Sequence, residues 1–456
     1  MQNFLYGLNS YISSLVWGPV MLTLILFTGV YLSVRMKFFQ LFHFKTWFSQ
    51  TFLSIFKKNG AKESKEGISQ FQAMATVLAG CVGTGNIVGV ATAITLGGPG
   101  AIFWMWISAF FGMMISFAEN VLCIKYRAKD ENGKYIGGPM VYMEQALGLK
   151  WLAALFCVFC VLASFGIGNM TQVNSLAEAA KTAFNVPAPV SGAAAAVLGA
   201  LAIFGGISRI SKVCEKLVPF MTIFYMLGCF IILILFANAL PNAFYSIFSG
   251  ALGLGAAAGG VTGSIVQNAV RYGVSRGVFS NEAGMGSTVI VNATSNIKCP
   301  VRQGMWGIFE VFADTIALCT LSALVILVTG AHKAGGEGVS ITVYAFSCGL
   351  GSLGSAFVAL ATILFSYASL LGWSYFGLRG WNHIFGRKSE IIYKLLFIFA
   401  IYLGAVSRLS VIWTISDTFN GLMLVPNLIT ILILSGTVIK ELKEYKSNNN
   451  LYLNGR

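Results

Sequence analysis

Charge is what this chain has least of. Asp, Glu, Lys and Arg make up 10% of its 456 residues against 56% hydrophobic, and the mean hydropathy is +0.76. A soluble domain carries about 25% charged residues, so the composition excludes a water-soluble protein and reads as a polytopic membrane protein. Acidic residues are the scarcer sign, 16 against 30 basic, for a net charge of +14. In a soluble chain that excess would suggest nucleic acid; here it is better explained by basic residues gathered in alternate loops. Histidine is nearly missing. His43, His332 and His383 are too dispersed to bind a metal, and the convergent set of His, Cys or carboxylate groups that a membrane enzyme needs is not found. Nine cysteines are scattered. Cys157-x-x-Cys160 resembles a redox or metal pair, but it lies in the apolar run 152–162 with no His or second pair nearby, and it reads as core- or lipid-facing thiols. The region before Val16 carries no Lys or Arg, and no small-x-small site follows a short apolar run, so the first span is expected to be retained.

Apolar windows of about 20 residues mark the spans: 16–34, 72–95, 99–124, 151–183, 189–206, 217–238, 256–290, 304–329, 351–378, 391–407 and 411–437. An amphipathic stretch, Phe244–Leu252, is expected to lie along the interface. Lys and Arg set the orientation. Twenty-five fall in the segments 35–71 and 125–150, in later loops of the same parity and in the tail, whereas opposite-parity loops hold only Lys181, Lys333 and Arg408. This split predicts an N-terminus outside and a C-terminus inside the cell or plasma membrane.

Two of these spans are poorly built to remain helical. Gly80-Cys81-Val82-Gly83-Thr84-Gly85-Asn86-Ile87-Val88-Gly89 places Gly-x-Gly and Asn near the middle of one. Glycine loses the most backbone entropy on ordering, and unwound backbone survives at membrane depth only where it lines a cavity or holds a ligand. Phe279-Ser280-Asn281-Glu282-Ala283-Gly284-Met285-Gly286-Ser287 repeats the signature about 200 residues later. Gly-interrupted spans in corresponding positions of two halves point to the binding site of a secondary transporter. With the first span set aside, the breaks fall in the first and sixth of ten spans, which makes the halves inverted repeats. The expected divisions are 1–71 (an extra N-terminal helix and a basic cytoplasmic linker), 72–238 and 239–437 (the repeats), and 438–456 (a cytoplasmic tail).

The chain resembles the alanine or glycine:cation symporter family. The resemblance rests on Gly83-Thr84-Gly85-Asn86-Ile87, Ala91-Thr92-Ala93-Ile94, Gly97-Gly98-Pro99-Gly100-Ala101, Gly137-Gly138-Pro139-Met140 and Gly166-Ile167-Gly168-Asn169-Met170. It continues through Arg276-Gly277-Val278-Phe279-Ser280-Asn281-Glu282-Ala283-Gly284, Asp314-Thr315, Leu371-Gly372-Trp373, Leu422-Met423 and Pro426-Asn427-Leu428. It covers roughly 15–435. It implies an all-α membrane protein of about 11 transmembrane helices, with the LeuT-like 5+5 inverted repeat of the neurotransmitter-sodium symporters behind one extra helix. The implied function is sodium-coupled uptake of a small neutral amino acid, alanine or glycine, with no cofactor and no enzymatic activity, by a monomer in the lipid bilayer.

By the same resemblance, the amides of Thr84 and Gly85 would bind the substrate carboxylate, in agreement with the affinity of exposed N–H groups at a half-helix end for anions. The carbonyls of Ala79 and Val82 with the hydroxyl of Ser369 would hold sodium, a hard cation that takes oxygen ligands. Phe279 would be an aromatic lid, Ser280 and Asn86 would contact the ammonium, Gln172 would orient the substrate, and Trp373 would cap the side-chain pocket. Many relatives carry a threonine where this chain has Ala368, which leaves sodium four ligands or a water.

Other readings stand beside these. Gly83-x-Gly85 does not fit a dinucleotide loop, because the third Gly falls one residue late; Gly85-x-x-x-Gly89 also fits plain helix packing. Ionisable groups at membrane depth are functional candidates. Glu282 has Arg271 and Arg276 close in sequence, so a structural ion pair and a transport role both fit. Asp314 follows Glu310 by four residues on one helical face, and it suits either a cation or proton site or the anchoring of a neighbouring helix. Asp417 is expected to cap a break. A proton-coupled carrier of the same fold would use Glu282 or Asp314.

Overall fold

The computed structural model describes residues 11–56, 67–253, 262–336, 338–407 and 409–453. Lys57, Lys58, Lys62, Lys65, Arg408 and Arg456 of the charge pattern, and 256–261 of the seventh expected span, lie outside the described residues. The chain is a bundle of helices. Among the described residues eight segments are long and apolar enough to cross a membrane, including Ala101–Lys125, Lys150–Phe184, Pro300–Val328 and Leu353–Phe385. Val88–Gly97, Ala188–Ile203 and Val339–Leu350 are shorter apolar helices. The one small sheet among the described residues pairs Ala128–Lys129 with Tyr135–Ile136 in the loop between two spans.

The elements that frame the centre are labelled in chain order: α1 (Pro19–Arg35), α2 (Gln70–Cys81), α3 (Val88–Gly97), α4 (Ala101–Lys125), α5 (Lys150–Phe184), α6 (Thr262–Asn281), α7 (Pro300–Val328), α8 (Leu353–Phe385), α9 (Leu409–Ile433) and α10 (Ser435–Leu453). A capping box starts α2: Ser69 Oγ accepts from the Gln72 amide, and Gln72 Oε1 accepts from the Ser69 amide, both at 3.1 Å. The helix stops at Cys81. A single 3-10 turn, Thr84–Asn86, then carries the chain into α3.

The later break has the same logic. α6 ends at Asn281; Glu282, Gly284 and Gly286 then take φ of 56°, 90° and 75° before a short helix, Val289–Asn292. Left-handed backbone is open to glycine and rare for a glutamate. Around these breaks α4 packs on both α6 and α7, α5 packs on α8, and α6 lies along α3. Two of the long segments contain π turns, at Gly166–Met170 and Phe312–Cys319. Such turns recur at functional sites.

α2 and α8 approach backbone to backbone. A methyl group on Gly372 would lie 2.8 Å from Gly80 N and 2.9 Å from Gly80 Cα. Gly372→Ala must therefore push the two helices apart, an overpacking that costs about 1–3 kcal/mol. The expected result is a lower thermal midpoint of the purified protein; an unchanged midpoint would show that the helices slide freely there.

Three regions outside the expected spans are helical. Residues 339–350 read as loop because the stretch is shorter than a span and flanked by glycines, yet they form a helix. The tail is helical: α10 buries Val438, Ile439 and Leu442 against the bundle. The basic linker carries short helices at Phe39–Phe42, Phe44–Gln50 and Phe52–Ile55, with Phe39 and Trp47 buried. The amphipathic stretch 244–252 does form a helix, Leu240–Leu252. It buries Ala243, Ile247 and Ala251 and leaves Phe244, Tyr245, Phe248 and Leu252 exposed.

Candidate functional site

The two breaks face each other. A methyl group added at Gly85 would sit 3.3 Å from Ser280 Cα and 3.4 Å from the Phe279 ring, so the two breaks approach with little room for a side chain between them. Asn86 closes its own turn by accepting from the Gly83 amide at 3.1 Å. Its other end crosses to α7, where Nδ2 donates to Asp314 Oδ1 at 2.8 Å. Ser280 Oγ donates to Asp314 Oδ2, also at 2.8 Å, as does the neighbouring Thr315 hydroxyl. Asn281 Nδ2 donates to Thr315 Oγ1 at 3.0 Å. One carboxylate thus ties the first break to the second. Asp314 is 0% exposed and, among the described residues, has no ion-pair partner. It sits on the π turn of α7, whose extra residue per turn moves the side chains that follow onto a different face from that of a regular helix.

All ten residues singled out from the sequence are buried, but they do not form one group. Gly83 and Thr84 meet Gln172, whose Oε1 accepts from the Thr84 amide at 3.3 Å while its Nε2 donates to Ile167 O across the π turn at 3.0 Å. The Thr84 hydroxyl has no hydrogen-bond partner among the described residues. Ser369 lies against Gly83, and its hydroxyl donates to Gly80 O at 3.0 Å, between Ala79 and Val82 in sequence. Gly85, Asn86, Phe279 and Ser280 form the second group, around Asp314. Trp373 stands apart from both: its indole N–H donates to Glu282 Oε1 at 2.9 Å, and its Cβ is 2.3 Å from where a Gly168 methyl would sit.

Glu282 makes no ion pair with an arginine among the described residues; Trp373 and Ser287 hold its two oxygens. The loop after it is fixed by Glu119 and Asn427. The Gly284 amide donates to Glu119 Oε2 at 3.3 Å, Asn427 Nδ2 donates to Glu119 Oε1 and to Gly284 O, and the Tyr142 hydroxyl donates to Asn427 Oδ1. No sequence motif marks Glu119 as part of this site. It is buried 165 residues from Gly284, and nothing local marks it.

Asp417 does not cap a break. It forms a forked pair with Arg276, Nη1 to Oδ1 at 3.2 Å and Nη2 to Oδ2 at 2.9 Å. The same guanidinium lies 5.4 Å from the centroid of the Phe279 ring. From α1's N-terminal side, Trp17 Nε1 donates to Asp417 O at 3.0 Å.

A polytopic helical bundle whose two broken helices meet at a buried polar centre is the architecture of a secondary transporter. The chain belongs to the sodium:alanine symporter family, whose model matches residues 2–454. It is 42% identical to the sodium/alanine symporter AgcS of Methanococcus maripaludis over 95% of this chain and 96% of that one. It is 38% identical to the probable sodium/glutamine symporter GlnT of Bacillus subtilis over 98% and 91%. Among solved structures it resembles MhsT in complex with L-phenylalanine, at a TM-score of 0.56 and 14% identity, covering 82% of this chain and 98% of that one. A manganese transporter of Eremococcus coleocola shares the fold at a TM-score of 0.52 and 13% identity, over 81% and 78%. The protein is an amino-acid transporter of the membrane and not an enzyme.

Proposed function

We propose that the chain couples a sodium gradient to the uptake of a small neutral amino acid, alanine or glycine, by alternating access. The observation that carries this reading is Asp314: a carboxylate at membrane depth that receives hydrogen bonds from both breaks and has no charged partner among the described residues. An unpaired buried charge costs several kcal/mol, and sodium beside Asp314 removes that cost while drawing Asn86 and Ser280 together. A second sodium site is proposed at Ser369 with the carbonyls of Ala79 and Val82.

The amides of Thr84 and Gly85 take the substrate carboxylate, with Gln172 releasing the Thr84 amide as substrate enters. Phe279 closes over the amino acid and Ser280 contacts its ammonium. Trp373, through Glu282, sets the size of the side-chain pocket. The relatives named for alanine and for glutamine favour a neutral amino acid. Eleven spans in a 5+5 inverted repeat behind one extra helix, repeats at 72–238 and 239–437, a monomer, an outside N-terminus and a cytoplasmic C-terminus complete the proposal. Sodium works here as a ligand: each of sodium and substrate raises the affinity for the other by the same factor.

The same carboxylate could instead take a proton, and one relative is named a putative sodium/proton-dependent alanine carrier. Uptake of labelled alanine and glycine into proteoliposomes separates the two. The expected result is loss of uptake when choline replaces sodium, with a proton gradient unable to restore it; uptake that is indifferent to sodium but driven by protons would overturn the sodium reading.

A further inference from the structure

Several cations at the helix ends are matched. Lys125 pairs with Glu441, Arg387 with Asp130 and Lys394 with Glu390, while Arg127 donates to the carbonyls of Ser295 and Ile297. The corner where α1 ends beside α10 is different. The first acidic residue of the chain is Glu63, so α1 and the turn after it bring only positive charge. Lys37 and Phe38 adopt φ of 56° and 48°, a left-handed turn that side chains rarely accept. The turn buries Phe39, and His43 stacks on that ring with centroids 4.7 Å apart. From α10, the Lys446 ammonium lies 5.2 Å from the centroid of the same ring.

Two basic side chains, His43 and Lys446, therefore flank one aromatic ring, and Lys37, two residues before that ring in sequence, is close enough for its charge to act on Lys446. Burial and Lys446 lower the pKa of His43, and burial and Lys37 lower that of Lys446. Among the described residues no carboxylate answers them: Glu441 is taken by Lys125, and Glu444 lies 3.8 Å from Lys440. His43 Nδ1 is shut off from solvent and has no partner among the described residues. Next to the cluster, Leu41, Phe42 and Phe44 are 55%, 73% and 44% exposed. A free anion would need no such rim, whereas a phospholipid places a phosphate and acyl chains side by side.

We infer that the notch between Lys37, His43 and Lys446 binds the phosphate of an anionic phospholipid, with its chains against Leu41, Phe42 and Phe44. Each lysine near an anionic surface strengthens binding about fivefold, and salt screens the effect. The inference does not depend on the transported substrate.

Its test is a thermal-shift titration of the full chain in detergent with phosphatidylglycerol, phosphatidylcholine or inorganic phosphate. Phosphatidylglycerol is expected to raise the midpoint, and the lipid concentration needed should rise about twenty-five-fold in K37Q/K446Q, two losses of about fivefold each. It should stay unchanged in K181Q, a control on an exposed lysine of α5. The single variant K37Q alters only an exposed side chain; it should show about a fivefold rise and serves if the double variant is not recovered folded. An equal response to phosphatidylcholine, a shift reproduced by inorganic phosphate, or a double variant that titrates like the parent would each overturn the proposal.

Discussion

Asp314→Asn is expected to lower sodium-driven alanine uptake on the order of a thousandfold at low sodium while leaving the protein folded. Asparagine keeps the size and shape of the aspartate. Its oxygen can still accept from Asn86 Nδ2, and its amide can donate to the Ser280 and Thr315 hydroxyls, which accept as readily as they donate. The network survives and only the charge is lost. A full charge about 4 Å from an ion at an effective dielectric of about 20 is worth roughly 4 kcal/mol, or about a thousandfold in affinity. The initial rate of uptake against sodium concentration reads the effect directly, and the thermal midpoint without sodium confirms folding. If half-saturation by sodium is unchanged in a folded variant, Asp314 does not hold the ion.

How much of this was legible in the sequence depended on how local the signal was. The break at Gly83–Asn86 was legible because its cause is contained within the turn: two glycines and an asparagine whose side chain caps the Gly83 amide. The break after Asn281 was legible for the same reason, since Gly284 and Gly286 take the positive φ that the path demands. Which residues complete the centre was not. Asp314 is 228 residues from Asn86, and its place beside Glu310 on a regular helical face suggested anchoring as readily as ion binding. The π turn that carries it leaves no periodicity in a strongly apolar run. Arg276 lies close to Glu282 in sequence, which invited a pair between them, but its partner is Asp417, 141 residues away.

That pair is the basis for the second expected effect. Arg276 and Asp417 link α6, which carries Phe279, to α9, and Trp17, just before α1, holds Asp417 through its backbone carbonyl. Their side chains are only 15% and 14% exposed. Losing one partner leaves the other charge largely buried and unpaired; the cost is several kcal/mol for a fully buried pair and about 1–3 kcal/mol once partial exposure is allowed for. On the proposed role of Phe279 as a lid, losing the pair that lies over it disfavours the closed state of the proposed alternating-access cycle. Arg276→Gln and Asp417→Asn are each expected to slow alanine uptake about fivefold or more. Arg276→Lys should recover little, because an ammonium cannot match both carboxylate oxygens as the guanidinium fork does. The exchanged pair, R276D/D417R, should recover a measurable part of the rate, since opposite charges again face each other across α6 and α9. Recovery in the double variant beyond the sum of the single effects measures the coupling directly. A double variant as slow as its parents, or single variants that transport normally, would show that the ion pair only holds two helices together and that the lid closes without it.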